Sequence, residues 1–280
     1  MHEKDFLNIF KLPEDELRKR VSEANLSLHD GFASLYDGVH PQQFHAHYRK
    51  KLLSDLYEIS AFVGRDKPLS GVRVLDLGSG TGFLTLHMLS IADFDLTCVD
   101  FSEAMLKRQE EKIANLSNRM RVKLVKEDVV SFCNQSDRKF DIVMMSAFLH
   151  HVFDIEEILR AVVKMVCDRG AVYIAFEPLK DAKMDKNIYR MHCVIREMDN
   201  LIWQSKGKQR EAEAYDDQSL ADFHTIQGGI NPEQITRILE ESRFTTRVDT
   251  FYVRYDESLA WFGDAVLGAR NTFSVLAKRG

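Results

Sequence analysis

The sequence predicts an α/β fold: a doubly wound, mostly parallel seven-stranded sheet with an N-terminal helical cap and a helical insertion after the fifth strand. Three observations carry this. Near-continuous apolar runs alternate with amphipathic stretches of helical period. The first apolar run breaks at Gly78-Ser79-Gly80-Thr81-Gly82 and resumes with helical spacing. An acidic residue, Asp100, closes the second run. Strands buried on both faces read as continuous hydrophobic segments, and helical crossovers between them make the sheet parallel and doubly wound.

Residues 1–24 have the pattern of two short helices split by Pro13, and residues 40–64 that of a longer helix with Phe44, Tyr48, Leu52, Leu53, Leu56, Ile59 and Phe62 on one side. The alternation then begins. "VRVLDLG" is a strand and "GFLTLHMLSIA" its helix; "DLTCVD" is a strand and "SEAMLKRQEEKIANL" a helix. "RVKLVKED" and "FDIVMMSAF" are strands, "IEEILRAVVKMV" a helix and "GAVYIAFEP" a strand. After Pro178 the rhythm stops. Residues 181–227 are helical in pattern and mixed in charge, with no strand. Alternation returns with the helix "NPEQITRILEES", the strand "TTRVDTFYVRY", the helix "DESLAWFGDAVLGAR" and the strand "TFSVLAKR". The expected divisions are therefore a cap at 1–66, a wound sheet at 67–178, an insertion or lid at 179–228 and a return of the sheet at 229–280.

Bulk composition excludes several classes. A chain of 280 residues, 45% hydrophobic, suits one large domain with additions. A net charge of -5 argues against a general polyanion-binding surface. The first residues are too charged for a secretory signal, and no apolar run approaches the roughly 20 residues of a membrane span. Cys98, Cys133, Cys167 and Cys193 are scattered and form no CxxC pair, which suits reduced thiols in a cytoplasmic protein. No metal-binding pattern stands out. Oligomeric state is not legible.

The glycine turn joins the first strand to its helix at the carboxyl edge of the sheet, where wound sheets bind ligands. Glycines there admit positive φ and close approach of the backbone to a ligand. The dinucleotide fingerprint is G-x-G-x-x-G; this chain has G-x-G-x-G, with Phe83 where the third glycine would stand. Asp100 lies at the distance expected for a carboxylate that grips ribose hydroxyls. A nucleoside is favoured over a pyrophosphate-bearing dinucleotide.

"VLDLGSGTG" together with "CVDFSEAML" resembles the class I S-adenosylmethionine-dependent methyltransferase family, over roughly residues 70–178 and the final strand pair. The resemblance implies S-adenosyl-L-methionine as cofactor. It implies that Asp76, Gly78, Ser79, Gly80 and Gly82 cradle its methionine part, that Asp100 holds the ribose, and that Phe101 and Met105 pack near the adenine. Asp128 and the Val129 amide would meet the adenine edge, and Ser146 would face the methionine end. Each could instead pack or cap.

Methyl transfer from a sulfonium needs orientation above all, and a base only where the nucleophile starts protonated. Candidate catalytic groups are His150, His151 and Glu177; the histidines could equally orient the loop, and Glu177 could hold a cationic amine or merely cap. Tyr36 with Asp37 resembles cap residues that close over the cofactor in relatives. Tyr189, His192 and Trp203, on the apolar stripe of the insertion, are candidate acceptor contacts if the insertion is a lid, with 204–219 a mobile stretch that orders on binding. "HAHYRKK" at 45–51 reads as a solvated helix face rather than a phosphate or RNA patch. The stretch after the fourth strand, "SAFLHH", lacks the Asn-Pro-Pro-Tyr-type tetrapeptide of relatives acting on adenine or glutamine amides. The expected partner is a small-molecule or natural-product acceptor, with no membrane and no nucleic acid. A nicotinamide-dependent oxidoreductase and a non-catalytic cofactor-binding relative are the competing readings.

Overall fold

The computed structural model describes residues 12–40, 45–180, 186–205 and 217–280. Seven strands form one sheet: β1 Arg73–Leu77, β2 Asp95–Asp100, β3 Val122–Lys126, β4 Phe140–Ser146, β5 Val166–Pro178, β6 Thr245–Phe251 and β7 Thr272–Arg279. Their order is β3-β2-β1-β4-β5-β7-β6. Only β7 runs against its neighbours. The helices of eight residues or more, among those described, are α1 Glu14–Phe32, α2 Ala46–Val63, α4 Glu103–Ile113, α6 Ile155–Met165, α7 Lys186–Ser205 and α8 Pro232–Glu241; the shorter α3 Phe83–Leu89 and α5 Val129–Gln135 follow β1 and β3. The chain order reverses between β1 and β4, so the topological switch point lies above the carboxyl ends of those two strands.

Both sheet faces are buried, as the continuous apolar strands require. Leu75, Leu77, Val143, Met145, Val172 and Ile174 face one way, against Ile158, Leu159 and Val162 of α6 and Ile235, Ile238 and Leu239 of α8. Val74, Leu96, Ile142, Met144 and Tyr173 face the other, against Leu52, Leu56 and Ile59 of α2 and Leu84 and Met88 of α3. The period-two alternation of each strand divides its side chains between these two layers. Side-chain caps start α4, α5, α6 and α8. Ser102, Asp128, Asp154 and Asn231 each accept a hydrogen bond from a first-turn amide.

Several boundaries differ from the sequence pattern. The N-terminal helix runs on to Phe32 instead of stopping near 24, because Leu17, Val21 and Asn25 keep one buried stripe. The stretch before Pro13, and Phe44, lie outside the described residues. The expected strand at 245–255 ends at Phe251, where the Asn271 side chain takes over the pairing: its Oδ1 accepts from Val253 N at 2.8 Å and its Nδ2 donates to Val253 O at 3.0 Å. The helix expected at 256–270 is α-helical only over Glu257–Trp261, then widens to a π turn through Val266. There Gly263 sits against Tyr252, whose ring would lie 2.3 Å from a Cβ at that position.

No described helix is long and apolar enough to cross a membrane. Helix α7 packs by Ile195 against Tyr252 and Ala269. Its Asp199 accepts from the Tyr255 and Asp256 amides at 3.2 and 2.8 Å. The turn Asp217–Asp222 and the short helix Phe223–Ile226 after it instead meet α1, through Leu220 and Phe223 on Leu17 and Val21.

Leu75 is fully buried in β1, an inner strand of the sheet. Leu75→Ala should cost about 2–5 kcal/mol in urea unfolding, whereas Met120→Ala, at a residue 86% exposed, should stay within about 0.5 kcal/mol. Equal effects would contradict the layer assignment.

Candidate active site

The turn after β1 has three glycines with left-handed backbone: Gly78 at φ 61°, Gly80 at φ 53° and Gly82 at φ 88°. Each is glycine for a separate reason. A Cβ at Gly78 would stand 2.2 Å from the Phe148 ring, and one at Gly82 would stand 2.7 Å from the Gln109 side chain. A Cβ at Gly80 would meet nothing within 4 Å. Gly80 faces open space, and that space is a cavity of about 660 Å³.

Asp100, 6% exposed, fixes the turn by accepting from Gly80 N at 2.8 Å and Ser102 N at 2.9 Å. Burial raises its pKa, against the opposing pull of the two amides. The N-terminal cap is tied to the same turn. Asp37 accepts from the Thr81 hydroxyl at 2.8 Å and pairs with Lys112 at 2.5 Å. Next to it Tyr36 lies on His40 and His29, with ring centroids 4.6 and 6.1 Å apart. Asp30 of α1 accepts from the Ser102 hydroxyl at 2.5 Å.

The opposite wall comes from β4 and β5. Ser146 ends β4, and Ala147 follows in the left-handed region at φ 49°. On β5 the register against β7 slips by one residue between Ile174 and Glu177, and Phe176 takes φ 60°. Such a bulge re-aims the side chain beyond it, and a bulky residue with positive φ is a strained one. The re-aimed side chain is Glu177, fully buried. Its Oε1 accepts from Phe148 N and Leu149 N, both at 2.8 Å, and its Oε2 accepts from His150 N at 3.1 Å. His150 Nδ1 stands 2.9 Å from the same Oε2.

The two adjacent histidines have opposite electrostatics. Burial disfavours a charge on His150, but the Glu177 contact and the Asp222 carboxylate outweigh it and raise its pKa. Burial and then the neighbouring His150 and His29 push His151 well below the ordinary histidine value. Two further histidines are held near 4 by burial, His40 and His224.

Among the described residues, the cavity is lined by Gly78, Gly80, Asp100, Phe101, Asp128, Val129, Ser146, Tyr36 and His151 of those expected from sequence. Asp76, Ser79, Gly82 and Met105 stand one layer back. Asp76 accepts from the Thr85 hydroxyl at 2.6 Å beneath α3, because strand alternation turns it away from the turn's open face. Ser79 donates to Gln109 Oε1 at 2.9 Å, and the Met105 side chain is fully buried. His150 and Glu177 also lie behind the wall; Glu177 is saturated by three amides and an imidazole, so it holds no amine substrate. His192 is not among the residues lining this cavity. It sits on α7 against the Tyr252 hydroxyl at 2.8 Å, with Arg254 alongside. The side chains of Tyr189 and Trp203, and most of 204–219, lie outside what the structure describes.

Helix α1 also lines the cavity. Val21, Asn25 and His29 line the cavity, with Arg18, Lys19 and Glu23 also on its wall. Asn25 is 4% exposed; its Nδ2 donates to Val21 O at 2.9 Å and His151 O at 2.8 Å, and its Oδ1 is buried with no partner. Polar Asn25 and His29, four apart on an otherwise apolar helical stripe, were the available signal. The Ser146 hydroxyl is likewise buried without a partner. One orphaned polar atom thus lies on α1 and another at the end of β4, both on residues that line the cavity, and unpaired buried polar atoms of this kind cluster at binding sites. The open cradle at Gly80, the buried Asp100 carboxylate beside it and the free Ser146 hydroxyl fit the amino-acid and ribose groups of a nucleoside cofactor.

Residues 74–170 match the family described as "Methyltransferase domain". Over 118 residues the chain is 31% identical to malonyl-[acyl-carrier protein] O-methyltransferase of Halalkalibacterium halodurans, covering 41% of this chain and 40% of that one. Over 74 residues it is 31% identical to tRNA1(Val) (adenine(37)-N6)-methyltransferase of Bacteroides thetaiotaomicron, covering 26% of this chain and 30% of that one. The chain thus spans well under half the length of these curated relatives. The plantazolicin methyltransferase BpumL, solved with a triazolic desmethylPZN analog and SAH, superposes with a TM-score of 0.57 at 14% identity, over 95% of this chain and 98% of that one. That likeness is one of fold.

Glu177→Ala should leave three buried amides unsatisfied, at about 1–3 kcal/mol each. Urea unfolding should show a loss of at least about 3 kcal/mol; a loss below 1 kcal/mol would remove Glu177 as the organiser of this wall. Burial raises the pKa of Asp76 to about 7. The folded state then keeps a proton that the unfolded state releases near pH 4, so stability falls as pH rises from about 4 to about 7. Asp76→Asn removes this penalty. Its advantage over the parent should be largest above pH 7 and fade as pH falls toward 4. A difference independent of pH would show that Asp76 is ionised throughout.

Proposed function

We propose that this chain, whose residues 74–170 match the methyltransferase-domain family, is a class I S-adenosylmethionine-dependent methyltransferase that transfers a methyl group to a small-molecule or natural-product acceptor. The observation that carries the reading is the Gly80–Asp100 cradle at the switch point, opening on a cavity whose lining residues Asn25 and Ser146 carry partnerless polar atoms. Gly78, Gly80 and Ser146 would hold the amino-acid end of S-adenosyl-L-methionine, Asp100 the ribose hydroxyls, and Phe101, Asp128 and Val129 the adenine. When bound, the cofactor supplies an electrophilic methyl that needs only a well-oriented nucleophile.

The chain's own part is to bind, orient and exclude water. Helix α1 and the Tyr36 turn cover the cavity, tied down through Asp37 and Asp30. The acceptor region is walled by Val21, Asn25, Phe148, His151, Val152 and Phe153. Among these side chains Asn25 Oδ1 is a buried acceptor without a partner, which supports an acceptor bearing an O–H or N–H. A small acceptor also suits a cavity of this volume. A tRNA adenine, the acceptor in the name of one partial relative, is less well supported, because "SAFLHH" stands after β4 where adenine-directed relatives carry an Asn-Pro-Pro-Tyr-type motif.

Calorimetry should find S-adenosylhomocysteine binding in the micromolar range, about -8 kcal/mol. Asp100→Ala should weaken it by roughly 1.5–3 kcal/mol, the loss of a charge-assisted hydrogen-bond set. Gly80→Val, with a side chain projecting into the cradle, should abolish it while the fold persists. Tight NADH binding with no S-adenosylhomocysteine binding would overturn the reading in favour of an oxidoreductase. Asn25→Leu should raise KM for the acceptor and leave S-adenosylhomocysteine affinity within about twofold, a split read by steady-state kinetics.

A further inference from the structure

At and behind the cavity wall that His151 forms lies a group of side chains whose ring nitrogens and carboxylate the proposed reading gives no task. His150, His151 and Asp222 each offer one ligand atom, all within 4.8 Å of one another. A single oxygen, Asp222 Oδ1, stands 3.8 Å from His150 Nε2 and 3.4 Å from His151 Nδ1. Four-coordinate zinc with bonds near 2.0–2.1 Å spaces its ligands roughly 3.3 Å apart. The His151–Asp222 separation matches that spacing and the His150–Asp222 separation exceeds it by about half an ångström, a difference that a rotation of the half-exposed Asp222 side chain closes. We infer that His150, His151 and Asp222 form a binding site for one divalent transition-metal ion, with an open coordination position beside the cavity.

Three observations beyond proximity support it. First, His150 is held by its other nitrogen. Glu177, fully buried and fixed by three amides, takes Nδ1 at 2.9 Å. A carboxylate behind a histidine fixes the tautomer and aims the remaining lone pair, which is the usual outer shell of a metal-bound imidazole. Here it aims Nε2 toward Asp222. Second, the donor chemistry is suitable. Two imidazoles and one carboxylate suit zinc or ferrous ions, and would suit magnesium or calcium poorly. Third, there is a way in. The Asp222 side chain is 49% exposed, while those of His150 and His151 are 13% and 14% exposed. An ion can enter past Asp222, and the cavity lined by His151 leaves room for a further ligand.

Binding has a local cost. His151 Nδ1 contacts Ala221 O at 2.6 Å, and the metal bond replaces this contact. Asp222 itself caps no helix with its side chain, so it is free to turn inward. Resting on the methyltransferase reading, the open position would take an oxygen donor of the acceptor, which makes hydroxyl- or carboxyl-bearing acceptors the preferred class.

The test uses the full chain stripped with chelator, the probe being Zn²⁺ in calorimetry and Co²⁺ in visible absorption. One equivalent of Zn²⁺ should bind, and Co²⁺ should give the d–d bands of a low-coordinate nitrogen–oxygen site. Asp222→Asn and His151→Gln should each weaken Zn²⁺ binding at least tenfold and change the cobalt spectrum. Glu177→Gln, which keeps a hydrogen-bonding side chain behind His150, should weaken it by about 10–100-fold. If that variant fails to fold, the half-exposed Asp222→Asn decides alone. Absence of stoichiometric Zn²⁺ binding overturns the proposal, as does binding unchanged in both Asp222→Asn and His151→Gln. S-adenosylhomocysteine affinity of the metal-free chain is measured alongside. Its loss in the parent would sink the methyltransferase reading, whereas its persistence without metal binding would sink the metal site only.

Discussion

A carboxylate with no exposed surface has to be neutralised or fully hydrogen-bonded, because desolvating it costs several kcal/mol. Glu177 meets this condition with three consecutive amides and one imidazole. The rest of the cavity depends on that arrangement. The amides belong to Phe148, Leu149 and His150, so satisfying the carboxylate sets the backbone path after β4. That path puts the Phe148 ring against Gly78, which admits no larger residue, and it puts His151 on the cavity wall. The bulge on β5 and the left-handed Phe176 are the strain that turns Glu177 inward. Strain of that kind persists only where surrounding structure over-determines it, and here the four hydrogen bonds do so.

A second buried carboxylate works the same way at the other side of the switch point. Asp100 is held by Gly80 and Ser102 amides, and the glycine turn is in turn held by Asp37 from the cap. The cavity thus lies between two loops, each moulded on a buried acid, at the place where the strand order reverses. The helices that cover it are attached to these loops through side chains and not through the sheet. Asn25 bonds the His151 carbonyl, Asp30 the Ser102 hydroxyl and Asp37 the Thr81 hydroxyl. Any rearrangement of α1 is therefore felt at both loops.

The histidines around Asp222 illustrate how one environment separates chemically identical groups. Burial disfavours the charged form of both, but His150 has a carboxylate at each nitrogen and its pKa rises, whereas burial and then the imidazoles of His150 and His29 push that of His151 down. They are adjacent in sequence, with ring centroids 4.0 Å apart. Nothing local to "LHHV" distinguishes them. The distinction comes from Glu177, 27 positions from His150, and from Asp222, a further 45 along the chain.

The sequence by itself determined the sheet and its switch point. Continuous apolar strands alternating with amphipathic helices can bury both faces in only one way, and all seven strands stand where that pattern put them. It also determined the glycine turn and Asp100, since positive φ leaves glycine as the ready choice and a ligand at a strand end leaves its acid at a fixed interval. Only the tertiary structure decided which side chains face the cavity. Asp76 and Met105 carry the right motif positions but point into the layer behind, and a strand's register against its neighbours, not its composition, selects the face. Likewise Asn25 and His29 come from a helix whose reach past residue 24 depends on burial against distant residues, and His192 is drawn to Tyr252 and Arg254 instead of the cavity. Asp222 meets His150 and His151 across some seventy residues of chain. Contacts of that separation are set by packing, which a local pattern of residue types does not encode.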